Sequence, residues 1–299
     1  VIGGDIVSSV VVTGGSGLLG RTLQRLKPEW TYLSSSDANL CDRNQTEKVL
    51  SGFDTVIHLA ARVGGIIDNT QNPYPFISDN ISMGLNVVDH CVRNNKYLIN
   101  MSSTCVYPKD APYYPMTENL IEHGPPEPTN QYYAYAKRSV YHLLSAARNL
   151  GHRSCTLFLS NLYGDFDHFD DNVRSHLVAA LIRKFSDAVD CNSDVVELLG
   201  DGTPERQFTH AEDAARAIVL VESERPNDDY NFSTPENLTV REIANIVQNV
   251  VGYTGKVSYN GQLNGLLKKE VCSKKFLDTF GEFEFTPLKE GIERVVNLI

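Results

Sequence analysis

The chain has 299 residues, 41% hydrophobic and 21% charged, with a formal net charge of -10. That length holds one large domain or two unequal ones, and the composition excludes collagen, coiled coil and a disordered chain. An acidic balance repels a phosphate backbone, so no nucleic acid is expected as a partner. Ser9–Thr13 is β-branched and reads as a buried strand, followed by a helix at Leu18–Leu26, a strand at Trp30–Leu33, a helix at Gln45–Leu50 and a strand at Thr55–Ala60. A helix is expected at Ile81–Asn94, where Ile81, Leu85, Val88 and Val92 recur near helical spacing. A strand at Tyr97–Met101, a long helix at Tyr133–Asn149 and a strand at Cys155–Leu159 complete the first half. Regular alternation of strand and helix predicts a doubly wound parallel α/β sheet.

After Gly164 the rhythm changes. Asp165–Asn172 reads as a polar loop, with helices expected at Ser175–Phe185, Glu212–Val221 and Val240–Val251 and a short strand at Tyr230–Phe232. The reading is a large domain of residues 1–164 with 211–257, and a smaller C-terminal substrate-binding lobe of 165–210 with 258–299. Residues 1–6 carry no weight, and there is no internal repeat.

Six cysteines are present, at 41, 91, 105, 155, 191 and 272. They form no CxxC pair and no Cys/His cluster of zinc spacing, so no metal is expected and the thiols read as free in a reducing compartment. With no signal peptide and no run of about 20 apolar residues, the expectation is a cytoplasmic protein without a membrane partner.

The first strand runs into Gly14-Gly15-Ser16-Gly17-Leu18-Leu19-Gly20, a GxxGxxG pattern between a β-branched strand and an apolar helix. Gly14 allows a sharp turn, Gly17 lets a pyrophosphate approach the backbone, and Gly20 lets the helix pack on the strand. The helix N-terminus then faces the phosphates, as in a Rossmann dinucleotide site. An acidic residue that binds an NAD ribose belongs at the tip of the second strand. Ser34, Ser35 and Ser36 stand there instead, which favours NADP; Asp37 argues the other way if the strand runs three residues longer. Arg21 reads as a solvated helix residue.

Tyr133 and Lys137 form YxxxK, which on a helix puts phenol and ammonium on one face. A nearby cation draws a tyrosine pKa down, and such a phenol can protonate a carbonyl oxygen during hydride transfer. Upstream, the fourth strand ends in Ser102-Ser103-Thr104-Cys105, at the edge where parallel sheets bind ligands. GGSGLLG, His58–Ala61, the serine at the strand end and YxxxK together resemble the extended short-chain dehydrogenases/reductases. More closely, Arg62–Ile66, Ser102–Pro108, Glu127–Lys137, Asn161–Gly164, Ser175–Phe185 and Gly200–Phe208 resemble the GDP-L-fucose synthases.

That resemblance implies C3/C5 epimerisation of a GDP-linked 4-keto-6-deoxy-mannose and reduction of its C4 ketone with NADP(H), by a homodimer assembled through the helices near Ile81–Asn94 and Tyr133–Asn149. It implies cofactor contacts at Gly14, Ser16, Gly17, Leu18, Leu19, Gly20, Ser34, Leu40, Ala60, Ala61, Tyr133, Lys137 and His176. It makes Ser103, Tyr133 and Lys137 the reductive set, with Lys137 also on the nicotinamide ribose. Epimerisation beside a ketone needs a base on one face and an acid on the other. Cys105 fits the base because a thiol titrates near neutrality, and His176 the acid because histidine switches charge there. The substrate contacts implied are Asn161, Lys184, Leu199, the diphosphate arginine Arg206, and Lys269 on the nucleotide, with Lys268 as its neighbouring alternative. Three positions depart from the family pattern. Asp165-Phe166-Asp167-His168 replaces a proline-histidine-aspartate-asparagine run, Leu199 replaces a tryptophan, and Ser16 replaces an arginine carried by some members.

A 4-epimerase or a 4,6-dehydratase that retains NAD is the alternative, and a non-catalytic dinucleotide sensor a third. The dehydratases carry an acidic pair after the strand-four threonine, where this chain has Cys105 and Val106. Sensors tend to lose the tyrosine or lysine that this chain keeps.

Overall fold

The computed structural model describes residues 9–167, 169, 176–262 and 265–298. The first half alternates as β1 (Val10–Thr13), α1 (Leu18–Leu26), β2 (Thr31–Leu33), α2 (Arg43–Leu50), β3 (Thr55–His58), α3 (Ile66–Gln71), α4 (Pro73–Arg93), β4 (Tyr97–Ser103), α5 (Gln131–Asn149) and β5 (Ser154–Leu159). Then come β6 (Asn161–Tyr163), α6 (Leu177–Asp190), β7 (Val195–Leu198), β8 (Glu205–His210), α7 (Ala211–Glu224), β9 (Asp229–Phe232), β10 (Asn237–Thr239), α8 (Val240–Val251), β11 (Lys256–Tyr259), α9 (Lys274–Phe280) and α10 (Leu288–Val296).

The main sheet is parallel throughout, in the order β2-β1-β3-β4-β5-β9. Strand residues alternate between its faces. Val10, Val12, Ile57 and Ile99 meet α1 and α7, while Val11, Val56 and Leu98 meet α4 and α5. Both faces are covered, as a parallel sheet requires. The order reverses on either side of β1, which puts a crevice at the carboxyl ends of β1 and β3.

A second core lies between α6, α8 and α10, with Ile182, Phe185, Ile243, Val247, Ile292 and Val295 buried in it. Beside it stand a three-stranded sheet, β10-β8-β6, and a β11-β7 pair. This corrects the expected division of the chain. Of residues 211–257, α7 and β9 join the main sheet, but α8 packs on α6 and α10, and β11 pairs with β7. Conversely α9, expected in the smaller lobe, sends Phe276 against Phe232 in the main core, with ring centroids 4.9 Å apart. An apolar stripe shows that a helix is buried, not which core buries it.

The helix expected at Ile81–Asn94 begins a full eight residues earlier, at Pro73. Proline is tolerated in a first turn, where its missing N–H has no intrahelical partner anyway. The helix expected from Ser175 begins at Leu177, and Ser175 itself, with residues 168 and 170–172 of the polar loop, lies outside the described residues.

Helices α4 and α5 pack at unusually close range. A Cβ on Gly84 would stand 2.2 Å from Val140 Cγ2, and Val140 is a stiff β-branched residue, buried itself. Gly84→Leu gains about 1 kcal/mol of helix propensity but overpacks this contact at about 1–3 kcal/mol or more. Urea unfolding is expected to show net destabilisation, and a variant as stable as the parent would mean the helices do not meet this closely.

Candidate active site

The glycine turn is built by backbone contact. Gly14 has φ of 76°, where a side chain is strained, and a Cβ there would lie 2.8 Å from Ala60 N. A Cβ on Gly20 would lie 2.4 Å from the Gly14 carbonyl oxygen, so α1 sits directly on the turn. Gly17 differs: its Cβ position meets only Gly14 O, at 3.5 Å, so the space it keeps clear faces outward, toward a ligand. Thr13 Oγ1 and His58 Nδ1 share a 2.9 Å hydrogen bond, and Ala60 N donates to the same hydroxyl at 3.3 Å. Burial, and after it the charge of Lys137, push the His58 imidazole down to about 3, so it stays neutral.

At the tip of β2 the Asp37 carboxylate accepts from Ser34 N and Ser34 Oγ, both at 2.7 Å. These bonds hold Asp37 below its ordinary range, and they commit it to closing the turn. The wall of the adjoining cavity is made instead by Ser34, Ser35, Ala38, Asn39 and Leu40. This stretch lines the cavity with hydroxyls and amides, and the Asp37 carboxylate, held by Ser34, is not among the lining residues.

That cavity is about 1070 Å³. Every cofactor contact the sequence implied lines it: Gly14, Ser16, Gly17, Leu18, Leu19, Gly20, Ser34, Leu40, Ala60, Ala61, Tyr133, Lys137 and His176. Ser103, Cys105, Asn161, Leu199, Arg206 and Lys269 line it too. The glycine cradle, the outward-facing clearance at Gly17 and the hydroxyl-lined ribose wall fit a dinucleotide. Among the described residues no cluster of metal-ligating side chains occurs.

Lys184 is the exception. Its Nζ donates to the Glu197 carbonyl oxygen at 2.6 Å and it does not line the cavity. Ala180 lines the wall; Lys184, one turn or about 6 Å further along α6, has passed beyond it and ties the helix to β7 instead.

Lys137 is buried and its Nζ donates to Met101 O at 2.9 Å. Burial draws its pKa down to about 8. Tyr133 moves opposite to expectation. Burial, then the neighbouring Cys105, raise its phenol above its ordinary value. The Lys137 ammonium stands 5.9 Å from the tyrosine ring centroid, spent on a backbone carbonyl, and does not outweigh desolvation. Ser103 Oγ accepts from Cys105 N at 3.2 Å, which fixes the turn after β4. The same turn is held from α5 by Arg138, whose Nε donates to Val106 O at 2.6 Å and whose Nη2 donates to Gly124 O at 2.8 Å.

The departing loop after Gly164 is used residue by residue. Asp165 pairs with Arg25 at 2.6 Å, Phe166 lies under Arg21 at 4.2 Å, and Asp167 Oδ1 sits 3.1 Å from His176 Nδ1. Arg21 is therefore engaged rather than merely solvated. His176 and Asp167 both stand on the cavity wall, where the His176 side chain keeps 44% of its surface exposed and the Asp167 side chain is almost fully buried. Crowding disfavours the imidazolium, but the hydrogen bond and charge of Asp167 outweigh it and raise the pKa above the ordinary histidine value.

Sequence reading did not find Asp167, Arg138 or Asn130. Asp167 and Arg138 follow no motif spacing, and Asn130 stood inside the Glu127–Lys137 stretch without a role. Arg206 is drawn down by burial, with Cys105, Glu127 and Tyr114 opposing.

A model of the "NAD dependent epimerase/dehydratase family" matches residues 10–232. The chain is 30% identical to a GDP-L-fucose synthase of Dictyostelium discoideum over 95% of this chain and 93% of that one. It is 29% identical to a GDP-L-colitose synthase of Yersinia pseudotuberculosis, over 95% and 96%. Among solved structures, a GDP-L-fucose synthetase from Naegleria fowleri bound to NADP superposes with a TM-score of 0.87, at 28% identity, over 98% of this chain and 92% of that one.

Replacing Asp167 by Asn removes the charge that favours the His176 imidazolium. The His176 titration midpoint, read from its ring proton by NMR, is expected to fall, so the protonated form is lost at lower pH than in the parent. A midpoint that stays or rises would show that Asp167 does not set this charge.

Proposed function

We infer the activity from the premise that this chain belongs to the NAD dependent epimerase/dehydratase family and, within it, stands with the GDP-L-fucose synthases. It is an NADP(H)-dependent enzyme that converts GDP-4-keto-6-deoxy-D-mannose to GDP-L-fucose, inverting C3 and C5 and then reducing the C4 ketone. The observation that carries this reading is the shared cavity, where Ser103, Tyr133 and Lys137 stand with Cys105 and His176 beside the glycine turn. A reductase needs the first three; the thiol and the histidine are what an epimerase adds.

Gly14 through Gly20 would hold the pyrophosphate against the start of α1, Ser34 and Leu40 the adenosine end, and Ala60, Ala61 and Lys137 the nicotinamide half. When bound, the cofactor supplies the hydride. Cys105 takes the proton from the carbon beside the ketone, and His176, kept charged by Asp167, returns one on the opposite face. Ser103 hydrogen-bonds the ketone oxygen, and Tyr133 delivers the proton to it. The raised tyrosine pKa suits that task, because the phenol must be protonated to donate. Arg206 takes the diphosphate, Asn161 orients the sugar and Leu199 packs on the nucleotide. The main sheet carries the cofactor and the smaller core the GDP-sugar. A cytoplasmic setting is consistent with the free cysteines, and among the described residues no helix is long and apolar enough to cross a membrane.

Purified protein with GDP-4-keto-6-deoxy-D-mannose is expected to oxidise NADPH and to yield GDP-L-fucose by NMR. Tyr133→Phe should lower reduction by roughly 10²–10⁴-fold while solvent deuterium still enters C3 and C5; Cys105→Ser should block that exchange. The GDP-L-colitose synthase relative favours a second reading, the same chemistry on a different GDP-sugar, and a different product would select it. No oxidation with NADPH or NADH would overturn both, and a retained NAD would then point to a 4-epimerase.

We also propose a homodimer through α4 and α5, whose outer faces expose Leu85, Val92, Tyr132 and Tyr135. Sedimentation equilibrium is expected to give twice the chain mass, and Leu85→Asp to shift it toward the monomer; a parent protein of single-chain mass removes the proposal.

A further inference from the structure

The cavity wall holds a carboxylate that the chemistry above does not use. Glu127 opens the short 3₁₀ turn that leads into α5, and its backbone oxygen accepts from Asn130 N at 3.3 Å. One carboxylate oxygen is engaged within that turn: Oε2 accepts from Thr129 N at 2.9 Å and from the Thr129 hydroxyl. Oε1 has no partner among the described residues, and no cation pairs with the group. Glu127 and Thr129 both line the cavity. A carboxylate oxygen only accepts, so what Oε1 can take is a donor brought in by a ligand.

The groups around Glu127 narrow what that donor is. Asn130 Nδ2 lies 3.2 Å from Cys105 Sγ, so the turn that carries Glu127 also abuts the sulfur read as acting at C3 and C5. Arg206, read as a diphosphate contact, is close enough to feel the charges of Cys105 and Glu127. All three line the same cavity. In a sugar nucleotide the diphosphate is attached at C1. Between C1 and C5 stands only the ring oxygen, which has no proton to donate. Between C1 and C3 stands C2, with its hydroxyl. The keto sugar has one other ring hydroxyl, on C3, and epimerisation moves that one to the opposite face. The C2 hydroxyl is the donor that keeps its place from substrate to product, so one fixed acceptor can hold it throughout.

We propose that Glu127 is a specificity-determining residue, whose free carboxylate oxygen accepts a hydrogen bond from the C2 hydroxyl of the GDP-sugar. The assignment rests on the sugar, the Cys105 role and the Arg206 role given under the proposed function. Glu127 takes no proton in the reaction. It makes C2 the pivot about which C3 and C5 change configuration. It also selects against a sugar whose C2 carries no donor, because the carboxylate oxygen then gives up its water for nothing.

The test is the binding of GDP-L-fucose and of its 2-deoxy-2-fluoro analogue to the full chain with NADP present, by isothermal titration calorimetry. Fluorine keeps an electronegative group at C2 but has no proton to donate. The parent protein is expected to bind GDP-L-fucose roughly 10–100-fold more tightly than the analogue, as for a hydrogen bond to a charged group. Glu127→Gln preserves the turn, since its amide oxygen still accepts from Thr129 N, and it puts an NH₂ donor in place of the free acceptor. That variant is expected to bind the two ligands with nearly equal affinity. Circular dichroism and NADPH binding verify that it is folded. A parent protein that does not distinguish the two ligands, or a Glu127→Gln variant that keeps the parent's preference, overturns the proposal. A parent protein that binds NADPH but neither sugar nucleotide overturns the substrate reading, and the assignment that rests on it.

Discussion

Helix α1 meets the end of β1 backbone to backbone, so close that a methyl group on Gly20 would reach within 2.4 Å of the Gly14 carbonyl. The other functional positions are arranged around that contact. It aims the start of α1 at the crevice where the strand order of the main sheet reverses. It also leaves Gly17 as clearance on the ligand side. The Thr13–His58 hydrogen bond ties the neighbouring strand ends together behind it. Because His58 is buried and neutral, this bond needs no counter-charge, and the electrostatics of the site are left to the groups around the reacting carbons.

Those groups are divided by environment. Burial disfavours charge on Lys137 and Tyr133 alike, and both shifts favour neutral forms. A neutral phenol is the proton donor that ketone reduction requires. His176 shares a cavity wall but has Asp167 at 3.1 Å, and its shift favours the charged form, which is the donor that carbon protonation requires. Two acids with opposite charge types are thus obtained from one cavity by the presence or absence of a single buried carboxylate.

The glycine turn, YxxxK and the serine at the end of β4 were legible because each is a local pattern whose geometry follows from a few successive residues. The parallel sheet was legible for the same reason, as strand and helix alternate with clear apolar runs. What escaped was set by contacts distant in sequence. The strands β6, β7, β8, β10 and β11 are no shorter than β2 of the main sheet, which was found, but they lie among polar residues, so no apolar run stands out. Helix α8 was found to the residue yet placed in the wrong core, since Ile243, Ala244 and Val247 suit either. Lys184 was carried into the site on resemblance alone, and one helical turn was enough to remove it. Lys269, also carried in on resemblance, lines the cavity, but its approach to Cys105 bridges 164 residues and has no local signal.

The smaller core is interleaved with the main sheet rather than appended to it. The chain leaves β5 for β6 and α6, returns through α7 and β9, leaves again through β10 and α8, and returns once more at α9. Each crossing carries a site residue to the shared cavity: Asn161 and His176 on the first excursion, Arg206 before α7, Lys269 before α9. A core assembled from separated segments has no continuous chain from which to fold alone. The side chains that these segments bring to the shared cavity therefore come into register only when the main sheet has formed. Reduction and epimerisation need one sugar ring held against both sets of groups, and this threading makes the two sets a single structural unit.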